Sequence, residues 1–238
     1  MAKTAVILLI LGLGGVTGLT GCASGQRGAG ARSRCNRLAA CRSACAAGNT
    51  DGCFRLASLL DRNPSRASIE AELPLLTRAC DGGHARTCVA LADLVCEPGA
   101  SGAPPADCDV RERELSQRAC DAGDGIGCLA LATRGPEGDE SAHSLLMDRA
   151  TSLLGAGCKA DDPYACAYLS LLSRKDPQGP AILAHARALL ERGCRNDDAM
   201  ACLTLSILVP EAESGPLRQR TCRLAPELGP CAQLQQQQ

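Results

Sequence analysis

Cysteine is the residue whose number and spacing point most directly to chemistry, with 17 in a chain of 238. A thiol can join another thiol, hold a soft metal ion or carry a lipid. Five pairs have seven residues between their members: Cys45/Cys53, Cys80/Cys88, Cys120/Cys128, Cys158/Cys166 and Cys194/Cys202. A looser pair, Cys222/Cys231, follows. Such regularity reads as a disulfide framework. A structural zinc site is disfavoured, because no Cys-x-x-Cys occurs and His84, between Cys80 and Cys88, has no counterpart in the other pairs. Cys96 and Cys108 bracket the stretch Glu97 to Asp107, rich in Pro, Gly and Ala, and are expected to staple it as an inserted loop. Cys35 and Cys41, six apart, face different sides of a helix and could pair only if that helix starts after Cys35. The sequence leaves this open.

The elements that must position these sulfurs can be read from the same spacing. First cysteines of successive pairs are separated by 35, 40, 38, 36 and 28 residues, the period of a helical array. Five before the first cysteine stand Leu75, Leu115, Leu153, Leu189 and Leu217, with Ala40 in the first unit. Three after the second stand Leu56, Leu91, Leu131, Leu169, Leu205 and Leu234. A small residue precedes every first cysteine, and small beside large on one helical face permits close packing. Between paired cysteines the chain must turn. Gly48, Gly83 and Gly123 stand where a left-handed residue ends a helix, and Asp161 and Asp197 replace them in the last two units. The Asp-Asp pairs these begin suit the cap of the next helix, and Pro163 fits its first turn. Each disulfide should therefore bridge two antiparallel helices across their turn, each closed loop contributing about 2.5 kcal/mol in the chain-entropy model. The predicted fold is all-α, a disulfide-stapled α/α hairpin solenoid of about five to six repeats over residues 35–234.

The N-terminus reads as an export leader over residues 1–21: Lys3, an apolar run from Ala5 to Val16, then Leu19-Thr20-Gly21-Cys22. The run is short for a membrane span. Leu-Thr-Gly-Cys resembles the bacterial lipobox, which implies that Cys22 becomes the first mature residue and carries diacylglycerol and an acyl chain such as palmitate. Several acyl chains make a stable anchor, since each buried methylene contributes about 0.8 kcal/mol. Residues 22–34, which after Cys22 are Gly, Ala, Ser and Arg apart from Gln26, read as a flexible tether, and Gln235 to Gln238 as a polar tail. Ala23 and Ser24, in place of an acidic retention signal, point to the outer membrane, with the domain in the periplasm or at the surface. An exported chain meets an oxidising compartment in which disulfides persist. The net charge of -1 and 1% aromatic content argue against a polyanion partner or a base-stacking platform, so no nucleic-acid partner is expected.

Ala79-Cys80-Asp81-Gly82-Gly83 with Cys88-Val89-Ala90-Leu91-Ala92, and again Ala119 to Gly123 with Cys128 to Ala132, resemble the Sel-one-like repeat in its cysteine-rich, Hcp-type form. The resemblance spans Cys35 to about Leu234. It implies a tetratricopeptide-like right-handed superhelix with a disulfide in each repeat. For function it implies an adaptor binding a protein or peptide, or alternatively a penicillin-binding or β-lactamase-type hydrolase. The short last step, the wider last pair and the break at Arg134-Gly135-Pro136 depart from the pattern. The motifs Ser-x-x-Lys, Ser-Asp-Asn and Lys-Thr-Gly are absent, and His84, His143 and His185 fall in different units. The reading is a lipid-anchored envelope scaffold rather than an enzyme, with an envelope protein or peptide as partner, no cofactor, no metal and no identified catalytic residue. In related arrays the first helix of each hairpin lines the concave side, which here would offer Glu72, Arg78, Glu114 and Arg118.

Overall fold

The computed structural model describes residues 35–60, 66–96, 105–134, 140–228 and Cys231. The expectations for the leader, Cys22, the tether, the greater part of the inserted stretch, Leu234 and the C-terminal tail lie outside these residues. Eleven helices and no strand occur among the described residues. They are α1 (Leu38–Ala46), α2 (Thr50–Leu60), α3 (Arg66–Asp81), α4 (Ala85–Val95), α5 (Cys108–Asp121), α6 (Gly125–Thr133), α7 (Glu140–Lys159), α8 (Pro163–Leu172), α9 (Gly179–Arg195), α10 (Ala199–Leu208) and α11 (Glu211–Leu224). The first ten pack as consecutive hairpins, and α11 packs on α10.

Each hairpin turns in the same way. Gly48, Gly83, Gly123, Asp161 and Asp197 all have positive φ, between 60° and 87°. The next residue's amide then reaches back to a carbonyl five residues earlier: Asn49 to Ala44, His84 to Ala79, Asp124 to Ala119, Asp162 to Gly157 and Asp198 to Gly193. This is the Schellman closure, which satisfies carbonyls that a helix end would otherwise leave without partners. The two aspartates are the informative cases, since after Gly it is Asn and Asp, whose short polar side chains can bond locally, that enter the left-handed region.

The turn brings each cysteine pair into register. Cys45–Cys53, Cys80–Cys88, Cys120–Cys128, Cys158–Cys166 and Cys194–Cys202 are disulfides with Cα atoms 4.4, 4.9, 4.4, 4.5 and 4.6 Å apart. Cys222–Cys231 closes the C-terminal end. Cys35 pairs with Cys41, which is possible because α1 begins only at Leu38. The expected Cys96–Cys108 staple is a correction: both are free thiols. Their sulfurs lie within 4.8 Å of each other. Each thiol is instead turned toward a carboxylate, Cys96 Sγ lying 3.8 Å from Glu112 Oε2 and Cys108 Sγ 3.4 Å from Asp109 Oδ1.

Short Cα separations demand small side chains where the helices cross. The residues just before the paired cysteines supply them: Ala44 faces Gly52, Ala119 faces Gly127, Gly157 faces Ala165 and Gly193 faces Ala201. Only the second hairpin departs, with Ala79 and Thr87 in those places, and it has the widest Cα separation of the five. Leu56, Leu91, Leu131, Leu169 and Leu205 are all buried, as their spacing predicts, and Leu115 and Leu189 join them from the first helices. One apolar cluster contains both Cys41 near the start and Leu228 near the end, so the first and last parts of the array share a core.

A Cβ on Gly127 would sit 2.5 Å from Ala119 Cβ and 2.9 Å from the Cys120 amide nitrogen, backbone that cannot swing aside. Gly127→Ala should therefore destabilise the fold by about 1–3 kcal/mol in chemical denaturation. Gly155→Ala on α7, where a Cβ meets nothing within 4 Å, should instead stabilise by about 0.5–1 kcal/mol.

Candidate functional site

The residues at the start of the second helices come together from hairpins distant in sequence. Five positions are equivalent, each opening a second helix: Asn49, His84, Asp124, Asp162 and Asp198. Asn49 Oδ1 accepts from the Gly52 amide at 2.9 Å. Asp124 accepts from the amides of Ile126 and Gly127, Asp162 from those of Tyr164 and Ala165, and Asp198 from that of Ala201. These are N-caps, each satisfying first-turn amides that have no partner inside the helix. His84 makes no such bond, and α4 starts without a side-chain cap.

The capping aspartates also hold two arginines. Arg55 of α2 donates from Nη1 and Nη2 to the two carboxylate oxygens of Asp198, at 2.8 and 2.6 Å, and from Nε to Asp51 at 2.7 Å. Arg55 is 4% exposed, and its partner lies 143 positions along the chain. Asn36 adds two bonds at the same junction, Nδ2 donating to the Asp197 carbonyl and Oδ1 accepting from the Ala199 amide, while the Leu38 amide donates to Glu227, which follows α11. The first hairpin is thereby clasped to the fifth. Arg86 of α4 bridges the third and fourth hairpins, through Nε to Asp124 at 3.2 Å and Nη1 to Asp162 at 2.9 Å. Phe54 and Tyr164 meet edge to face with centroids 5.5 Å apart, and the Arg86 guanidinium lies 5.8 Å from the Tyr164 centroid.

Burial opposes ionisation of Asp198, but the hydrogen bonds and charge of Arg55, with the amides of Ala201 and Met200, outweigh it and hold the carboxyl below the ordinary carboxylate range. Burial pushes the Tyr164 phenol well above its ordinary value, so it stays protonated.

A pocket of about 370 Å³ opens at this convergence, lined by Asp51, Phe54, His84, Arg86, Thr87, Asp124 and Tyr164 among others. Three of its side chains have a buried polar atom with no hydrogen-bond partner among the described residues: His84 Nδ1, Thr87 Oγ1 and the Tyr164 hydroxyl. Buried polar atoms are ordinarily satisfied, and three orphans lining one pocket mark it as a place where a bound group could supply partners.

The first-helix residues suggested for the concave side sit elsewhere. Glu72 is buried and paired with Arg42, and Arg118 is paired with Asp81 at 2.6 Å; Arg78 and Glu114 are exposed. The histidines are separate from one another: His143 Nδ1 meets the Ala132 carbonyl, His185 Nε2 meets Asp161, and His84 lines the pocket. His185 lies within 4.8 Å of the sulfurs of Cys158 and Cys166, but their disulfide removes the thiolates a metal would need. Cys96, Cys108 and Asp109 are the second group within that distance, and there burial, the neighbouring thiol and Glu112 all push the Cys96 thiol upward. What sequence reasoning missed is the pocket. Its one legible signal was His84 standing where three other units carry a capping Asp. No protein-family model matches this chain, and no curated protein matches it.

Arg55→Ala strands the Asp198 carboxylate at a buried junction and should cost about 3–5 kcal/mol. A carboxyl with a depressed folded pKa stabilises the fold above its unfolded value, about 3.9, and loses that contribution as pH falls through the folded value. Denaturation of wild type and Arg55→Ala should thus differ fully at pH 6 and converge as pH drops below about 4.

Proposed function

We propose that this chain is a lipid-anchored envelope scaffold that binds a protein or peptide partner, with the pocket at the convergence of its second helices taking a segment of that partner. The observation that carries the reading is the group of three unpartnered polar atoms, on His84, Thr87 and Tyr164, in a pocket whose walls are the stapled starts of helices. Walls held by disulfides and by arginine clasps lose little freedom when a ligand enters, which favours binding. A pocket of this size accepts one or two side chains of a bound segment rather than a folded domain.

The same reading takes the array as a Sel-one-like, tetratricopeptide-like superhelix of five to six repeats, whose stacked units present an extended surface to a partner. It takes Cys22 as the lipid-bearing first residue and residues 22–34 as the tether that sets the domain off the outer membrane. No helix among the described residues is long and apolar enough to cross a membrane, so attachment through Cys22 accounts for the membrane association proposed here.

Two experiments test this. Covalent cross-linking of the tagged protein in its own cells, with mass identification of what is captured, should recover one or a few envelope proteins reproducibly, and capture should weaken in Thr87→Val. Recovery of abundant bystanders alone would refute the scaffold reading. Cys22→Ser should move the chain from the membrane fraction to the soluble fraction; retention at the membrane would refute the anchor.

A further inference from the structure

Two thiols are left over from the disulfide framework. The disulfides take every other described cysteine, and Cys96 and Cys108 stay free. They stand at two different helix ends. Cys96 is the C-cap of α4, and Cys108 is the first residue of α5, with Asp109 beside it in the first turn. Packing of α4 on α5 brings these ends together. The two sulfurs and a carboxylate oxygen of Asp109 all lie within 4.8 Å of one another. Sequence spacing does not announce this group: eleven residues separate Cys96 from Cys108, whereas zinc motifs set paired cysteines about two to four residues apart.

The separations are close to what a zinc-type ion requires. With metal–sulfur bonds of about 2.3 Å and metal–oxygen bonds of about 2.0–2.2 Å, tetrahedral ligands stand about 3.5 Å apart for S to O and about 3.8 Å for S to S. Cys108 Sγ is 3.4 Å from Asp109 Oδ1. A further oxygen adjoins the three: Glu112 Oε2 is 3.8 Å from Cys96 Sγ, while Arg134 Nε holds Oε1 of the same carboxylate at 2.8 Å. Carboxylates at metal sites are ordinarily held by such an outer hydrogen bond. Charge points the same way. The ionisable groups that act on Cys96 are all acidic, namely Cys108, Glu112 and Asp109, and Arg134 is divided between Glu112 and Asp93. A divalent cation would remove the thiol protons on binding and so answer this concentration of acids. Paired thiolates select soft and borderline ions over magnesium and calcium.

We propose that Cys96, Cys108 and Asp109 bind a divalent metal ion of zinc type, with Glu112 as the nearest further ligand, and that the ion ties the end of α4 to the start of α5. Each sulfur exchanges its proton for a bond to the metal, two protons pass to solvent, and nothing is oxidised or reduced. The site shares no residue with the pocket at the second helices and does not depend on the partner reading.

The test uses the full chain purified without reductant, so that the disulfides stay closed, and then stripped with a chelator. Cadmium, a zinc surrogate whose thiolate bonds give an ultraviolet charge-transfer band, is titrated in. One equivalent should bind with that band; zinc should displace it, and magnesium or calcium in large excess should not. Cys96→Ser and Cys108→Ser should each abolish the band while circular dichroism stays helical. Asp109→Asn, at an exposed position, should weaken binding by at least about tenfold, the loss that removal of even an outer partner of a metal ligand brings. His185→Ala, beside the closed Cys158–Cys166 disulfide, should change nothing. Zinc should raise the melting temperature of the wild type and leave that of Cys108→Ser where it was, because only a folded site binds it. No band at one equivalent, a band that survives in either serine variant, unchanged affinity in Asp109→Asn, or isolation of the chain with Cys96 and Cys108 already joined would each overturn the proposal.

Discussion

Everything in this fold hangs on the corner at which one helix ends and the next begins. A residue at positive φ reverses the chain, a Schellman bond closes the helix end, and a disulfide fixes the two Cα atoms at 4.4 to 4.9 Å. The core is made of leucine, alanine and cystine, with a single Phe and two Tyr in the whole chain. Small side chains bury little apolar area each, so close approach and covalent restraint carry what large aromatics carry in other domains. The glycine-to-alanine contacts beside four of the five hairpin disulfides follow from the same demand.

The corners also determine where polarity goes. Each corner ends in a capping residue, and in three of the five hairpins that residue is an aspartate whose carboxylate has capacity to spare after serving the backbone. Arg55 and Arg86 use that spare capacity. They connect hairpins that no local rule brings together, and they do so with charges that are costly to bury unless paired on all sides. The site is thus assembled from the by-products of turn formation: caps, the arginines attracted to them, and the one corner where the cap is not supplied.

Much of this could be read from residues alone. The seven-residue spacing and the left-handed positions at Gly48, Gly83, Gly123, Asp161 and Asp197 gave the hairpins, since turn chemistry is local. The leucines flanking the cysteines gave the buried faces. Three things resisted. Cys35–Cys41 depended on where α1 starts, a boundary decided by one or two residues. Cys96 and Cys108, brought near each other by the fold, are each turned to a carboxylate, Glu112 or Asp109, whose side-chain orientation no spacing specifies. The clasp of Arg55 on Asp198 depends on how far each hairpin rotates from its neighbour. That rotation is a property of packing rather than of any local run of residues.

The clasp has a consequence for how such a chain can change over time. An open stack of hairpins can gain or lose a unit at little cost, because each unit touches only its neighbours and the ends are free. Here the first hairpin and the fifth hold each other through Arg55, Asn36 and Asp198. An added or deleted hairpin would leave a buried guanidinium facing the wrong unit. The number of hairpins between those two residues is therefore locked by a salt bridge, and divergence among chains of this build should appear in loops and pocket residues while their length in units stays fixed.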